Sequence, residues 1–143
     1  MTPSKFLLDI NVLIALADPH HIHHQLVMRW FGTGGFDWGV CAFTEAGFLR
    51  VTTNPKLRMH SVEEASGVLA GLTSYPGYRF WTITSGWTTI VAPFAERVLG
   101  HQQITDAYLL GLAIKDNGVL VTLDKAIRYM AGPKYSTHLL VLE

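Results

Sequence analysis

The chain is short of three features that often classify a protein directly. Its single cysteine, Cys41, lies in the apolar run Val40-Cys41-Ala42-Phe43, so no disulfide framework can form within the chain, which suits a reducing compartment. It carries no excess of charge, since eleven Lys plus Arg balance eleven Asp plus Glu. A neutral total gives no long-range attraction to nucleic acid or to an anionic membrane, and any such binding has to be local. No apolar run approaches the ~20 residues of a membrane-spanning helix. Lys5, the apolar stretch after it and Ala15-Leu16-Ala17 imitate a secretory signal, but Asp9 in the middle opposes insertion into hydrocarbon. The expectation is a soluble, cytoplasmic protein. Repeats, linkers and low-complexity tracts are missing too, so residues 1–143 read as one domain, able to bury roughly 70% of the surface its unfolded form exposes.

What is present centres on Phe6 to Leu16, FLLDINVLIAL, where Asp9 and Asn11 interrupt an otherwise apolar segment. Burying an unpaired charge costs several kcal/mol, so the interruption marks a change of chain direction or a bound cation. Lys5 to Leu8 reads as a buried strand, Asp9 as the residue at its carboxyl end, and Asn11 as the cap of a helix beginning Val12-Leu13-Ile14. Asp9 is then expected on the rim of a sheet, where open α/β sheets bind ligands.

Further along, Ile22, Leu26 and Trp30 recur at helical spacing up to Gly32, and Trp38 to Phe43 reads as a second strand. Thr44 is placed to cap a helix with Glu45 in its first turn, ending before Asn54-Pro55. Ser61 and Glu64 form a capping box ahead of a helix with Val62, Ala65, Val68, Leu69 and Leu72 inward. Tyr78 to Ile83 is expected to be a third strand. Pro93 would break a helix in its interior, so a helix is expected from Pro93 onward and something irregular before it. Thr105 is placed to cap a helix over Asp106 to Lys115, which Asn117-Gly118 stops. Val119 to Leu123 is a fourth strand ended by Asp124, Ala126 to Met130 a short helix, and His138 to Leu142 a last strand. Helices alternating with short, wholly apolar runs are the pattern of a parallel sheet covered on both faces.

In such a sheet the carboxyl ends of strands and the amino ends of the following helices share one rim. Asp9 and Asp124 end strands, while Glu45 and Asp106 lie in first turns of helices, so all four acids can converge. Two helices, not one, precede the third strand and again the fourth, so one of each pair has to lie across the sheet for Asp106 to reach the rim. Taken singly, each acid also fits a cap or a strand-end turn. Together, two unit charges ~5 Å apart repel by about 3 kcal/mol at an effective dielectric of 20, more than helix amino termini offset. A divalent cation is the natural counter-charge. An all-oxygen site suits Mg²⁺ or Mn²⁺ over zinc, and such ions can promote in-line hydrolysis of a phosphodiester.

These residues carry a family resemblance. LLDINVLIAL, FTEAGFLRVTTNP, QITDAYLLGLAI and VLVTLDKAI resemble, in order and separation, the four acidic motifs of PIN-domain nucleases, and more closely of the VapC-type toxins of bacterial toxin-antitoxin pairs. The similarity runs from Lys5 to about Leu142. It implies a three-layer α/β/α fold with a central parallel sheet of about five strands and an acidic pocket holding Mg²⁺ or Mn²⁺. It also implies endonucleolytic cleavage of RNA to a 5′-phosphate and a 3′-hydroxyl, which inhibits translation and growth. Asp9, Glu45, Asp106 and Asp124 match the family's four acids, as catalytic residues and metal ligands. Asn11 and Thr122 match supporting polar residues that orient ligands or water. The resemblance further implies a homodimer and a VapB-type antitoxin that covers the active groove.

Other residues have two readings. Arg50, Lys56 and Arg58 are candidate contacts to RNA phosphates or an ordinary charged surface, and Lys125 and Arg128 are similar candidates. His20, His21, His23 and His24 could suggest zinc, but no cysteine stands nearby and consecutive histidines cannot all face one ion, so they read as the start of a solvated helix with a ring or two packing on the core. Trp30, Phe31, Trp38, Phe80, Trp81 and Trp87 could stack bases but read first as core or interface. Two other functions fit an acidic α/β rim. A phospho-acceptor receiver-type switch would need adjacent acids after the first strand and an acceptor Asp at the middle strand's end, where Ile83-Thr84-Ser85 offers none. A catalytically silent PIN-fold binding module would not need intact acids.

Overall fold

Successive side chains of a strand point to opposite faces, and the first strand, β1 (Lys5–Leu8), divides its apolar residues accordingly. Leu7 enters one core and Leu8 the other. The computed structural model describes residues 5–57 and 60–143. Around β1 are α1 (Ile10–Ala17), α2 (His24–Phe31), β2 (Asp37–Gly39), α3 (Ala42–Thr52) and α4 (Val62–Leu72). Then come α5 (Trp87–Val91), 3-10 turns over Ala92–Arg97 and His101–Gln103, α6 (Ile104–Lys115), β3 (Val119–Thr122), α7 (Ile127–Ala131) and β4 (Leu139–Val141). The strands are parallel in the order β2-β1-β3-β4. One core, with Leu8 and Val121, is filled by side chains of α1 to α4, and the other, with Leu7 and Leu120, by α5, α6 and α7. That is the expected three-layer α/β/α arrangement.

The described sheet has four strands where about five were expected. The segment beginning at Tyr78 lies parallel to β2 but touches it only by isolated bridges, Trp38 to Tyr78 and Cys41 to Trp81. The Arg79 and Trp81 amides donate to the Trp38 and Val40 carbonyls at 2.8 and 2.9 Å. Gly39 permits this approach, because a Cβ there would fall 1.7 Å from the Arg79 carbonyl oxygen.

Several helix starts differ from expectation for one shared reason: the chain turns into a helix as soon as its strand ends. Asp9, not Asn11, caps α1, and Asn11 is exposed in its first turn. Cys41 precedes α3, which puts Thr44 inside the first turn, and Thr105 likewise sits inside α6. The capping box of Ser61 and Glu64 opens α4 as expected, yet Val62 is outward and 66% exposed. A short helix, α5, does precede Pro93, and the proline falls at the start of a 3-10 turn that kinks at Phe94. Asn117, at a φ of 55°, ends α6.

Among the described residues no helix is long and apolar enough to cross a membrane. Cys41 is buried and free. Trp38 and Trp81 are buried, and Trp30 and Phe31 are half-buried against Phe36. Phe80 is the exception at 49% exposure.

Candidate metal-dependent active site

The chain leaves β1 toward β2 on one side and reaches β3 on the other, so β1 and β3 flank the point where the strand order reverses. The crevice beyond the carboxyl ends of strands at such a point is the usual ligand position in open α/β sheets. Asp9 follows β1 there, and Thr122 ends β3 beside it.

Asp9 is only 3% exposed, and both of its oxygens are held. Oδ1 accepts from the Ile10 amide at 2.7 Å and Oδ2 from the Thr122 hydroxyl at 2.7 Å. The Thr122 hydroxyl also accepts from the Asp124 amide at 3.0 Å, so one side chain ties the acids ending β1 and β3. Asp124 Oδ1 accepts from the Ala126 amide at 2.9 Å, which starts the turn into α7. The Thr122 hydroxyl thus holds Asp9, whereas exposed Asn11 makes no described side-chain hydrogen bond.

Electrostatics shows which acids share a field. Burial raises the Asp9 carboxyl above its ordinary value, the Thr122 and Ile10 hydrogen bonds oppose that, and the charge of Asp124 adds to the rise. Asp106, in the first turn of α6, is pushed up to about 7, first by burial and then by the charges of Asp9 and Asp124. Of the two helical segments before β3, α6 is the one that packs on β3 and β1, which brings Asp106 to these acids. Glu45 is not among the charges that raise Asp9 or Asp106; the group its charge acts on is the Tyr78 phenol beside β2, which is raised by burial and by that charge. The residue before Glu45, Thr44, is fully buried and donates from its hydroxyl to the Leu8 carbonyl at 3.1 Å.

The amino ends of α1, α3 and α6 carry these acids or adjoin them, and each adds partial positive charge. Among the described residues, no three His, Cys, Asp or Glu side chains stand close enough to hold a metal as they are. The donors around the crevice are carboxylate and hydroxyl oxygens, without sulfur or imidazole, and such a set fits a hard divalent cation once its charge replaces repulsion by attraction.

Arg50 and Lys56 are exposed on the last turn of α3 and in the loop after it, and Arg58 lies outside the described residues. Lys125 and Arg128 both pair with Glu143, at 3.3 and 2.8 Å, which weakens their candidacy for phosphate. His24 Nδ1 bonds the Ala15 carbonyl at 2.7 Å, and the His23 amide donates to His21 Nδ1 at 3.0 Å. A cavity of about 600 Å³ lies away from the acids, between Arg97, Arg128, Gly132 and β4. Sequence reasoning assigned Thr44 to a helix cap and gave Gly47 no role. The bond from Thr44 to Leu8 spans 36 residues, and no local pattern signals it.

The profile described as PIN domain matches residues 6–133. Ribonuclease VapC38 of Mycobacterium tuberculosis is 38% identical over 141 residues, covering 95% of this chain and 98% of the relative. Ribonuclease VapC44 of the same organism is 38% identical over 132 residues, covering 90% and 92%. In structure, VapBC2 from Rickettsia felis, solved bound to a DNA fragment from its promoter, aligns with a TM-score of 0.68 at 12% identity. That alignment covers 97% of this chain and 99% of the other, and it shows a shared fold. A receiver-type switch is thereby replaced as a reading. With a family profile across most of its length and relatives aligned nearly end to end, the chain belongs to the PIN-domain family, and within it to the VapC ribonucleases.

Proposed function

We propose that this protein is a Mg²⁺-dependent endoribonuclease, for which Mn²⁺ can substitute, acting as the toxin of a toxin-antitoxin pair that inhibits translation and growth. The observation that carries the reading is a buried, doubly hydrogen-bonded Asp9 at the strand-order reversal, within the field of Asp106 and Asp124. Asp9, Glu45, Asp106 and Asp124 would hold the ion. When bound, Mg²⁺ supplies Lewis acidity toward the scissile phosphate and favours deprotonation of the attacking water.

The chain's own residues account for the rest. Thr122 and the Ile10 amide orient Asp9, leaving its remaining lone pairs for a ligand. Asp106, raised to about 7, carries a proton much of the time at neutral pH and would have to give it up to serve as a ligand. The water oxygen attacks phosphorus in line and gives a proton to solvent, the bond to O3′ breaks, and O3′ takes a proton from solvent. The products are a 5′-phosphate and a 3′-hydroxyl. Arg50, Lys56 and Arg58 are proposed to contact phosphates beside the cleaved one, which gives a neutral chain its local hold on a polyanion. Family membership supports a VapB-type antitoxin as partner, a homodimer and a cytoplasmic site of action.

The test is cleavage of structured RNA by the purified protein. Mg²⁺ or Mn²⁺ should permit cutting and a chelator should silence it. Asp9→Asn and Asp106→Asn should each lower the rate by more than about a hundredfold while the thermal melt stays at or above that of the parent. Full cleavage by both variants would refute the assignment.

A further inference from the structure

Of the four candidate acids, Asp9 and Glu45 each adjoin residues through which α3 meets β1 and α1. Asp9 lies between Leu8 and Ile10, and Glu45 between Thr44 and Gly47. On one side of the acids, the Thr44 hydroxyl reaches out of its own helix to the Leu8 carbonyl at 3.1 Å. Thr52 and Thr53, later in or just beyond α3, behave in the ordinary way and donate back to the Phe48 and Leu49 carbonyls four residues earlier. The Leu8 carbonyl is available because the last pair between β1 and β2 is Leu7 with Gly39, one residue short of it. Cys41 Sγ, 3.7 Å from the same hydroxyl, completes its buried surroundings.

On the other side, Gly47 seats α3 directly on Ile10. A Cβ at position 47 would stand 2.3 Å from Ile10 Cδ1 and 2.7 Å from Cγ1, so any larger residue there has to displace the Ile10 side chain. Leu8, Thr44 and Gly47 are buried and Ile10 is half-buried, and both restraints adjoin both acids in sequence.

We propose that Thr44 and Gly47 are positioning residues, a two-point clamp that sets Glu45 relative to Asp9 and so tunes divalent-cation affinity. The inference rests on the metal-dependent reading above and adds to it the part of the protein that fixes the distance between two ligands. A metal site depends on such supporting contacts because a carboxylate free to wander loses affinity without losing its charge. Removing a contact of this kind typically costs 10- to 100-fold in metal affinity.

The experiment measures Mn²⁺ binding to the full chain by loss of the free-ion EPR signal, with cleavage and thermal melting in parallel. Thr44→Val keeps the side-chain shape and removes the donor, and it should weaken Mn²⁺ binding about tenfold; Thr44→Ser should restore it. Gly47→Ala should weaken binding similarly, and adding Ile10→Ala, which makes room for the new methyl group, should recover most of the loss. That recovery separates positioning from general destabilisation, since the double variant also loses core volume and should melt below Gly47→Ala. Parent-like Mn²⁺ affinity in both Thr44→Val and Gly47→Ala would overturn the clamp and leave the nuclease reading intact. A parent protein that neither binds Mn²⁺ nor cuts RNA would overturn the nuclease reading, and the clamp with it.

Discussion

The carboxyl rim of the sheet and the corner where α7 meets β4 treat the same chemical group in opposite ways. At the corner Glu143 is solvent-exposed and answered by Arg128 and Lys125, whose hydrogen bonds and charges hold its carboxyl below the usual range. At the rim Asp9 is buried and Asp106 half-buried, both feel the charge of other acids, and both are pushed upward. The corner is a satisfied surface whose ion pairs are exposed and contribute little. The rim departs from the rule that buried charges are paired, and it does so with several acids in one place. Acids gathered away from solvent with raised pKa values mark a candidate functional site. The lesson is that charge in this molecule is balanced overall and unbalanced locally, and the imbalance coincides with the reversal of strand order.

The contrast can be sharpened first by adding a divalent cation. Mg²⁺ at one hundred times its dissociation constant adds about 2.7 kcal/mol of stability, which for a domain of this size is a rise in Tm of roughly 5–10 °C. A thermal shift experiment in Mg²⁺ against chelator measures it. No rise would mean that the rim does not bind the ion.

A smaller effect separates the two regions by pH in the presence of chelator. Folded Asp106 keeps its proton up to about 7, whereas an unfolded carboxyl releases it near ~4. Between those values the folded chain binds more protons than the unfolded one, so raising the pH favours unfolding. Tm should therefore fall as pH rises from about 4 to about 7 and level off above. Asp9 contributes with the same sign. Asp106→Asn should flatten most of this slope, and saturating Mg²⁺ should flatten it in the parent. A slope unchanged in Asp106→Asn would show that the titrating group lies elsewhere.

The smallest effect belongs to the corner. Glu143→Gln should leave Tm within about a degree and RNA cleavage unaltered, because exposed ion pairs are screened and entropically costly. A large loss of either would mean that the corner takes part in what the rim does.

Much of this was legible in the residue order. Lys5–Leu8 and Val119–Thr122 are apolar runs of strand length stopped by an acid, and buried parallel strands leave that mark because both of their faces are covered. The capping box at Ser61 is a local event and came through unchanged. Helix starts were harder, because several polar residues compete for each cap and tertiary contacts choose among them. Asp9 took the role expected of Asn11, and Thr44 was drawn from capping to the Leu8 carbonyl. The Tyr78 segment has strand composition, but as the outermost partner of β2 it is paired only at isolated points.

By itself the sequence settled the alternation of elements, the pairing of acids with strand ends and helix starts, and the family, because each is written in spacing along the chain. Only the tertiary structure decided that α6, of the segments before β3, carries Asp106 to the strand-order reversal, that Thr122 holds Asp9 and that Thr44 grips β1. Those facts depend on residues 36 and 113 positions apart meeting in space, and such meetings are set by how layers pack and not by any neighbour in the chain.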